Sequence, residues 1–354
     1  MQKERNINLD LIRTVAVISV ISVHFFLNSG FYSLPLLGKT MYISTVFRTL
    51  FMICVPLFLL LTGYLMNKKE LSKKYYGGIK KTLFVYVLST ILMLLYINYY
   101  KGAPITLTDS IKNILSYSQY SWYIAMYIGL FLLIPFLNLI YNGLKSQAQK
   151  SGLVLTLIFL TVLPTLFNTE TTMVLPVWWT SLYPVMYYFS GAYICEFKDR
   201  IKLPLWLNFI LILIAIFGFG AIKFTMSHGV NFIVTPEVDW HGYMTFITSI
   251  LTFLFLLRLN LKKCPKILKI IISKISDLSL GIYLISWLFD DLFYEILAKR
   301  VPAFSQRLPY FFQMVFGVFI CSLIISWIIS LIYKIFRVFP KILPNKDNKK
   351  GVSL

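Results

Sequence analysis

Stretches of mostly apolar residues alternate with short polar segments along almost the whole chain. Because a helix needs about 20 apolar residues to cross the hydrocarbon core of a bilayer, this pattern predicts an all-α, polytopic transmembrane bundle of about ten spans. The predicted spans are residues 9–27, 43–66, 83–100, 121–141, 152–167, 178–196, 205–224, 241–258, 275–297 and 309–333. No long hydrophilic segment separates them, so we assign residues 1–340 to one transmembrane domain and residues 341–354 to a basic cytoplasmic tail.

Composition and charge agree with a membrane location. The chain is 58% hydrophobic and 14% charged, whereas soluble domains average about 25% charged residues. Its net charge of +20 would suggest a nucleic-acid partner for a soluble protein, but here the basic residues cluster between apolar runs. With the N-terminus placed inside, 25 of the 34 Lys and Arg residues fall on the inner side and eight on the outer side. This bias predicts that both termini are cytoplasmic and that the partners are membrane lipids, not nucleic acid.

The first predicted span carries three ionisable side chains, Asp10, Arg13 and His24, in an otherwise apolar sequence. A charged side chain at the bilayer centre costs roughly 2.5–3.5 kcal/mol, so we expect these groups to face a polar interior. Asp10 and Arg13 are spaced to pair across one helical turn. Arg13 and His24 fall on the same stripe of the helix, about 16 Å apart along its axis. The spacing therefore predicts one polar lane with a fixed charge near the inner face and a general base, His24, in the outer half.

Three residues near the predicted outer face have two interpretations each. Arg48 in the second span either extends to the membrane surface or places a cation near His24, facing an oxyanion. Trp122 and Tyr123 begin the fourth span, where they belong either to an interfacial aromatic belt or to a surface that stacks on a sugar ring. The sequence alone leaves these alternatives open.

Two charged clusters flank the predicted spans. The loop over residues 67–82 is the densest basic cluster, and it either orients the chain and contacts anionic lipid or binds phosphate groups. Its candidate phosphate ligands are Lys73, Lys74, Lys80 and Lys81. The ninth span ends in acidic residues that we interpret mainly as solvated, with orientation of His24 or Arg48 as the alternative for one of them. These residues are Asp290, Asp291 and Glu295.

Four stretches together resemble the integral-membrane acyltransferase 3 family. The most specific is Asp10-x-x-Arg13 followed by Arg13-x10-His24. The others are VPLFLLLTGYL over residues 55–65, WYIAMYIGLFLLIP over residues 122–135 and SDLSLGIYLIS over residues 276–286. The sequence departs from the family pattern at Ser286, where a histidine is usual, and at Tyr120, which replaces a more polar residue. Gly77 and Gly78 stand where arginines are common.

The resemblance implies a membrane O-acyltransferase of the bacterial plasma membrane. It would move an acyl group, most simply acetyl, from cytosolic acyl-CoA to a hydroxyl of a surface or lipid-linked saccharide. It implies catalytic roles for His24, Arg13 and Arg48, substrate binding by Trp122, Tyr123 and Asp10, and no metal. It also implies that the donor is bound by Arg13, Lys73, Lys74, Lys80 and Lys81.

Two other functions remain open from the sequence. Intramembrane Arg and His also line the substrate pathways of transporters and flippases. A non-catalytic membrane subunit of a polysaccharide synthesis or export system would carry the same residues in a structural role. The acceptor, the acyl group, direct transfer as opposed to an acyl-enzyme, and the oligomeric state are also open.

Overall fold

The computed structural model describes residues 5–116, 121–169 and 171–342, and within these ranges the chain is helical without a β-strand. Tyr120 and residues 343–354 of the predicted tail lie outside the described residues. In chain order the helices are α1 (Ile7–Asn28), α2 (Gly38–Phe51), α3 (Cys54–Met66), α4 (Lys73–Tyr76), α5 (Lys80–Tyr99), α6 (Leu107–Ser116), α7 (Trp122–Gly143), α8 (Gln147–Thr161), α9 (Pro164–Phe167), α10 (Tyr183–Phe197), α11 (Leu205–Met226), α12 (Tyr243–Arg258), α13 (Lys266–Arg300) and α14 (Phe311–Ile342).

Helix α1 lies at the centre of the bundle, where it packs against α2, α3, α12, α13 and α14. The side chain of Asn6 caps its first turn by accepting a hydrogen bond from the amide of Asn8. A helix that is apolar all round is stable only when neighbouring helices or lipid cover every face. The side chains of α1 that are fully covered by neighbours include Ile12, Ala16, Val17 and Ile21.

Helices α1 and α13 run parallel to each other. Near their start, the hydroxyl of Ser276 donates to the carboxylate of Asp10 at 2.8 Å. Farther along the same pair, His24 meets Asp290. Both contacts join residues that are 266 positions apart in the sequence, so these side chains of the two helices face each other in the same register.

The bundle has two ends that matter for function. The N-terminal end carries Arg5 and the turns near residues 67–72 and 259–265. The Asn8 side chain donates to the carbonyls of Leu256 and Leu259 at 2.8 and 2.9 Å, and Asn6 lines a cavity together with Asn67. The opposite end carries the loops at 29–37 and 227–242, which are joined by the Leu36 amide donating to the Val230 carbonyl at 2.9 Å.

Within the described ranges, seven segments are long and apolar enough to cross a membrane. They correspond to seven of the ten predicted spans, so a polytopic bundle is confirmed, while ten spans and cytoplasmic termini are not. The seven segments are Ile7–Ser33, Gly38–Met66, Lys73–Tyr99, Trp122–Gly143, Leu205–Met226, Pro236–Arg258 and Phe304–Phe336.

The other three predicted spans differ from these seven for separate physical reasons. Residues 152–167 are divided, because α8 ends at Thr161 and α9 begins at Pro164, which has no amide hydrogen to continue a helix. Helix α10 has 15 residues, a length of about 22 Å, against a hydrocarbon core of about 30 Å. Helix α13 is long enough at 35 residues, but charged side chains interrupt its apolar sequence.

The second predicted span is also divided. Helix α2 ends at Phe51 and α3 begins at Cys54, with Met52 and Ile53 between them. Pro56 lies in the first turn of α3, where its missing amide hydrogen costs little. The break sets the start of α3, with Cys54 and Val55, beside α1 in the interior.

Helices α3 and α10 approach each other closely through two glycines. A Cβ atom on Gly63 would lie 1.9 Å from the carbonyl oxygen of Tyr188, and one on Gly191 would lie 2.0 Å from that of Leu60. Only glycine fits at such distances, and small residues are the usual means of close helix packing in membranes. This contact holds α3, which lines the interior cavity, at a fixed position.

Candidate active site

One cavity of about 290 Å³ runs between α1, α3, α7 and α13. Arg13 and His24 both line it, so the structure brings together the two residues that the sequence places on one stripe. Thr62 and Thr82 add hydroxyl groups toward the N-terminal end. Most of the remaining wall is apolar, including Val20, Val23, Val55, Phe58, Leu61, Ile124 and Leu280.

His24 is held by a buried carboxylate. Its Nδ1 lies 2.8 Å from Oδ2 of Asp290, which is 2% exposed. With the proton on Nδ1 donated to the carboxylate, the lone pair of Nε2 is left to accept a proton. Oδ1 of Asp290 has no hydrogen-bond partner, so the carboxylate is directed at the imidazole alone. Among the three acidic residues of the sequence analysis, Asp290 is therefore the one that orients His24.

Asp10 is not paired with Arg13, and this prediction was wrong. Its carboxylate accepts hydrogen bonds from Arg5 at 2.9 Å, from Ser273 at 2.9 Å and from Ser276 at 2.8 Å. Arg5 precedes the helix and folds back over its first turn to reach Asp10, so Asp10 is paired without Arg13. With both oxygens bound and only 5% exposure, Asp10 does not line the cavity.

Arg13 keeps most of its donors available to the cavity. Among the described residues its hydrogen bond is to Ser276, from Nη1 to Oγ at 3.1 Å. Ser276 in turn donates to Asp10, so a chain of polar groups links the guanidinium to the carboxylate without an ion pair. Sequence reasoning missed Ser273 and Ser276, because serines on a distant helix give no spacing signal relative to α1.

Aromatic side chains line the cavity at the opposite end. Trp122 and Tyr123 both line it, and Trp122 stacks on Trp240 with ring centroids 4.5 Å apart. The backbone of Trp240 is fixed by the hydroxyl of Tyr187, which donates to its carbonyl at 2.9 Å. The indole nitrogen of Trp240 is buried without a hydrogen-bond partner, and the thiol of Cys54, a weak acceptor, lies beside it. Trp240 was not singled out by the sequence.

Arg48 lies outside this cavity. Its Nε donates to the hydroxyl of Tyr32 at 3.0 Å, and its guanidinium carbon lies 4.5 Å from the ring centroid of Phe232. The residue is 2% exposed, so it does not extend to the membrane surface either. Arg48 instead ties the loops at 29–37 and 227–242 together at the opposite end.

The four lysines predicted to bind phosphate, Lys73, Lys74, Lys80 and Lys81, are exposed and do not line this cavity. Lys80 and Lys81 directly precede Thr82, which lines the cavity, so they stand near its N-terminal end. Lys73 and Lys74 lie in α4. No group of His, Cys, Asp and Glu side chains suited to a metal ion occurs in the part of the chain that the structure describes.

Comparison with known proteins gives one match. A family model described as an acyltransferase domain, that of the acyltransferase 3 family, matches residues 6–330. No curated protein and no solved structure matches the chain significantly. The match includes every residue of the cavity and covers nearly the whole chain, and the chain therefore belongs to the acyltransferase 3 family of membrane acyltransferases.

Proposed function

We propose that this protein transfers an acyl group, most simply acetyl, from cytosolic acyl-CoA to a hydroxyl of a surface or lipid-linked saccharide at the bacterial plasma membrane. The observation that carries the proposal is that one cavity is lined by both Arg13 and His24, whose imidazole is bound by Asp290. In such a cavity, a thioester that enters from one face of the membrane can react with an alcohol that enters from the other face. Its apolar wall excludes water, which would otherwise hydrolyse the thioester.

In this mechanism His24 is the general base. Nε2 takes the proton of the attacking hydroxyl as its oxygen bonds to the thioester carbonyl carbon, a role worth about 10²–10⁴-fold in rate. When the carbon–sulfur bond breaks, the imidazolium returns that proton to the leaving thiolate, which departs as free CoA. Asp290 holds the ring in the required tautomer and stabilises the imidazolium.

Arg13 is assigned to the donor and not to the oxyanion. His24 lies eleven positions farther along the helix, or about 16 Å along its axis, which is too far for both side chains to contact one carbonyl group. A guanidinium at that distance suits the amide carbonyls or the first phosphate of the donor's long arm. Lys80 and Lys81, next to the cavity-lining Thr82, would attract the polyanionic donor toward the entrance.

Trp240 is the residue that we assign to the oxyanion. Arg48 lies outside the cavity, whereas Trp240 lines it, and among the described residues the buried indole N–H of Trp240 faces the thiol of Cys54, a weak acceptor that a stronger one could replace. A preorganised donor in a dry site stabilises a developing negative charge strongly. Its stacking partner Trp122, together with Tyr123, would form the surface that receives a sugar ring.

The test compares acylated products of cells that carry the wild-type protein or His24→Ala, with mass spectrometry of the surface glycan as the readout. We expect acylation in the wild type and its loss in the variant, with equal amounts of both proteins in the membrane. Equal acylation by the two proteins would contradict the mechanism. A flippase or a non-catalytic subunit would instead change the amount of polymer in the absence of the protein and leave its acylation pattern unchanged.

A further inference from the structure

A second cavity, of about 550 Å³, lies at the N-terminal end of the bundle. It is formed by the start of α1, the end of α3 with the following turn, and the end of α10. Leu65 lines both this cavity and the one that holds Arg13 and His24, so the two are neighbours. We call it the basic cavity, because Lys68, Lys69 and Lys198 line it.

Three lysines and no acidic side chain line the basic cavity within the described part of the chain. They are Lys68 and Lys69 from the turn after α3 and Lys198 from the end of α10. The ammonium group of Lys198 donates to the hydroxyl of Tyr64 at 3.3 Å, and this hydrogen bond raises the pKa of the lysine and keeps it cationic. The hydroxyl proton of Tyr64, which also lines the cavity, remains available to an acceptor.

The turn that carries Lys68 and Lys69 is fixed by helix α7. The side chain of Asn138 donates to the carbonyls of Met66 and Lys69 at 2.8 and 2.7 Å. The hydroxyl of Tyr188 donates to the same amide at 2.6 Å, so the amide itself is held in place. A turn whose carbonyls are bound in this way presents its lysines from a fixed backbone, which reduces the entropy that a ligand must overcome.

We propose that the basic cavity binds the phosphate-bearing nucleotide end of the acyl-CoA donor, while the acyl arm passes Leu65 into the neighbouring cavity toward Arg13 and His24. This inference rests on the proposed function, since it identifies where that donor is held. Lysine is a common point-charge partner of phosphates, and three lysines without a competing carboxylate match a polyanion. Lys73 and Lys74, which line neither cavity, are not needed for this interaction.

An anionic phospholipid headgroup carries the same phosphate ester chemistry. The two sources are separated by using purified full-length protein in a neutral detergent, with acetyl-CoA and phosphatidylglycerol added separately. Cys195 lines the basic cavity and provides the readout, because an occupant should slow its alkylation by a maleimide. The other cysteines, Cys54, Cys264 and Cys321, are replaced by serine so that only Cys195 reacts.

We expect acetyl-CoA to slow the alkylation of Cys195. An acetyl-CoA analogue that lacks the ribose phosphate should slow it less. The combined variant Lys68→Gln, Lys69→Gln and Lys198→Gln should raise KM for acetyl-CoA by about tenfold or more, with a smaller change in kcat. The matched control replaces Lys262, Lys263 and Lys266, which are exposed and line neither cavity, and should leave KM within about twofold. Protection by phosphatidylglycerol but not by acetyl-CoA would overturn the inference.

A truncated donor, the acetyl thioester of N-acetylcysteamine, separates this inference from the proposed function. It carries the reacting thioester but no phosphate, so its transfer should depend on His24 and be insensitive to the three lysine substitutions. If transfer from it depends on His24 while KM for acetyl-CoA is unchanged in the triple variant, the basic cavity is not the donor site, although the proposed function stands. If neither donor supports His24-dependent transfer, the proposed function itself fails.

Discussion

Two buried carboxylates on the facing surfaces of α1 and α13 have opposite surroundings. Asp10 is bound by Arg5, Ser273 and Ser276, so both of its oxygens are satisfied. Asp290 contacts His24 through one oxygen, and its other oxygen has no partner. A carboxylate with all its hydrogen bonds made stabilises the helix pair, whereas one directed at a single imidazole makes that ring a better base. The same helix pair thus holds a fully hydrogen-bonded carboxylate at one end and, at the other, the carboxylate that we propose acts with His24 in catalysis.

The largest effect expected from this comparison is that of Asp290→Asn. The amide keeps the volume of the carboxylate but loses the charge that fixes the tautomer of His24, so kcat should fall by about 10²-fold or more. The measurement is steady-state transfer of acetyl by purified protein. Asp10→Asn is the matched variant. It should lower the melting temperature, and it should lower kcat less than Asp290→Asn does. If the two substitutions reduce kcat equally, the distinction between the two ends is wrong.

The next effect concerns the two stacked tryptophans. Trp240→Phe keeps an aromatic ring but removes the indole N–H, and it should lower kcat by about 10²-fold with little change in KM for the acyl donor. Trp122→Phe preserves part of the stacking surface and should act mainly on KM for the acceptor. Kinetics at varied donor and varied acceptor concentrations separate the two. A Trp240→Phe enzyme with wild-type kcat would remove Trp240 from the oxyanion role.

A smaller effect separates the two intramembrane arginines. Arg13→Gln removes charged donors from the cavity and should raise KM for acetyl-CoA by about tenfold. Arg48→Gln removes a buried cation that holds Tyr32 and Phe232, so it should lower the melting temperature while KM for acetyl-CoA changes less. Donor kinetics and thermal unfolding of both variants give the answer. The reverse pattern would place Arg48, and not Arg13, at the donor.

The smallest expected effect comes from a substitution in the packing that holds α3 beside the cavity. Gly191→Ala places a methyl group against the carbonyl of Leu60 and should lower the melting temperature. Gly218→Ala in α11 is the matched control, because its added methyl group would meet no atom within 4 Å. Its melting temperature should stay the same or rise slightly, since alanine favours helix more than glycine does. A Gly191→Ala protein that melts at the same temperature as the Gly218→Ala protein would show that the contact with Leu60 does not require glycine.

The helical bundle and the shared stripe of Arg13 and His24 could be predicted from sequence because both follow from helix periodicity. The partner of Asp10 could not, because spacing alone allowed Arg13 and gave no information on Ser273, Ser276 or the folding back of Arg5. Local periodicity reports which residues share a face of one helix. It does not report which helix that face meets.

The positions of Asp290 and Arg48 also could not be predicted from local periodicity. Asp290 was one of three acidic residues near the end of a predicted span, and it is selected by the parallel packing of α1 and α13, which the sequence does not show. The family resemblance implies a catalytic role for Arg48, yet Arg48 contacts the loops of the opposite end and lies outside the cavity. The divided spans were missed because single proline residues and short helices change a hydropathy profile little.

The central claim is that His24 removes the proton of the attacking hydroxyl, and chemical rescue tests it most directly. Purified His24→Ala, which leaves a space beside Asp290, is assayed with the truncated thioester donor in the presence and absence of free imidazole. The account predicts a rate at least about 10²-fold below wild type, partly restored by imidazole in a concentration-dependent manner. A variant that transfers acetyl at the wild-type rate without imidazole would contradict it.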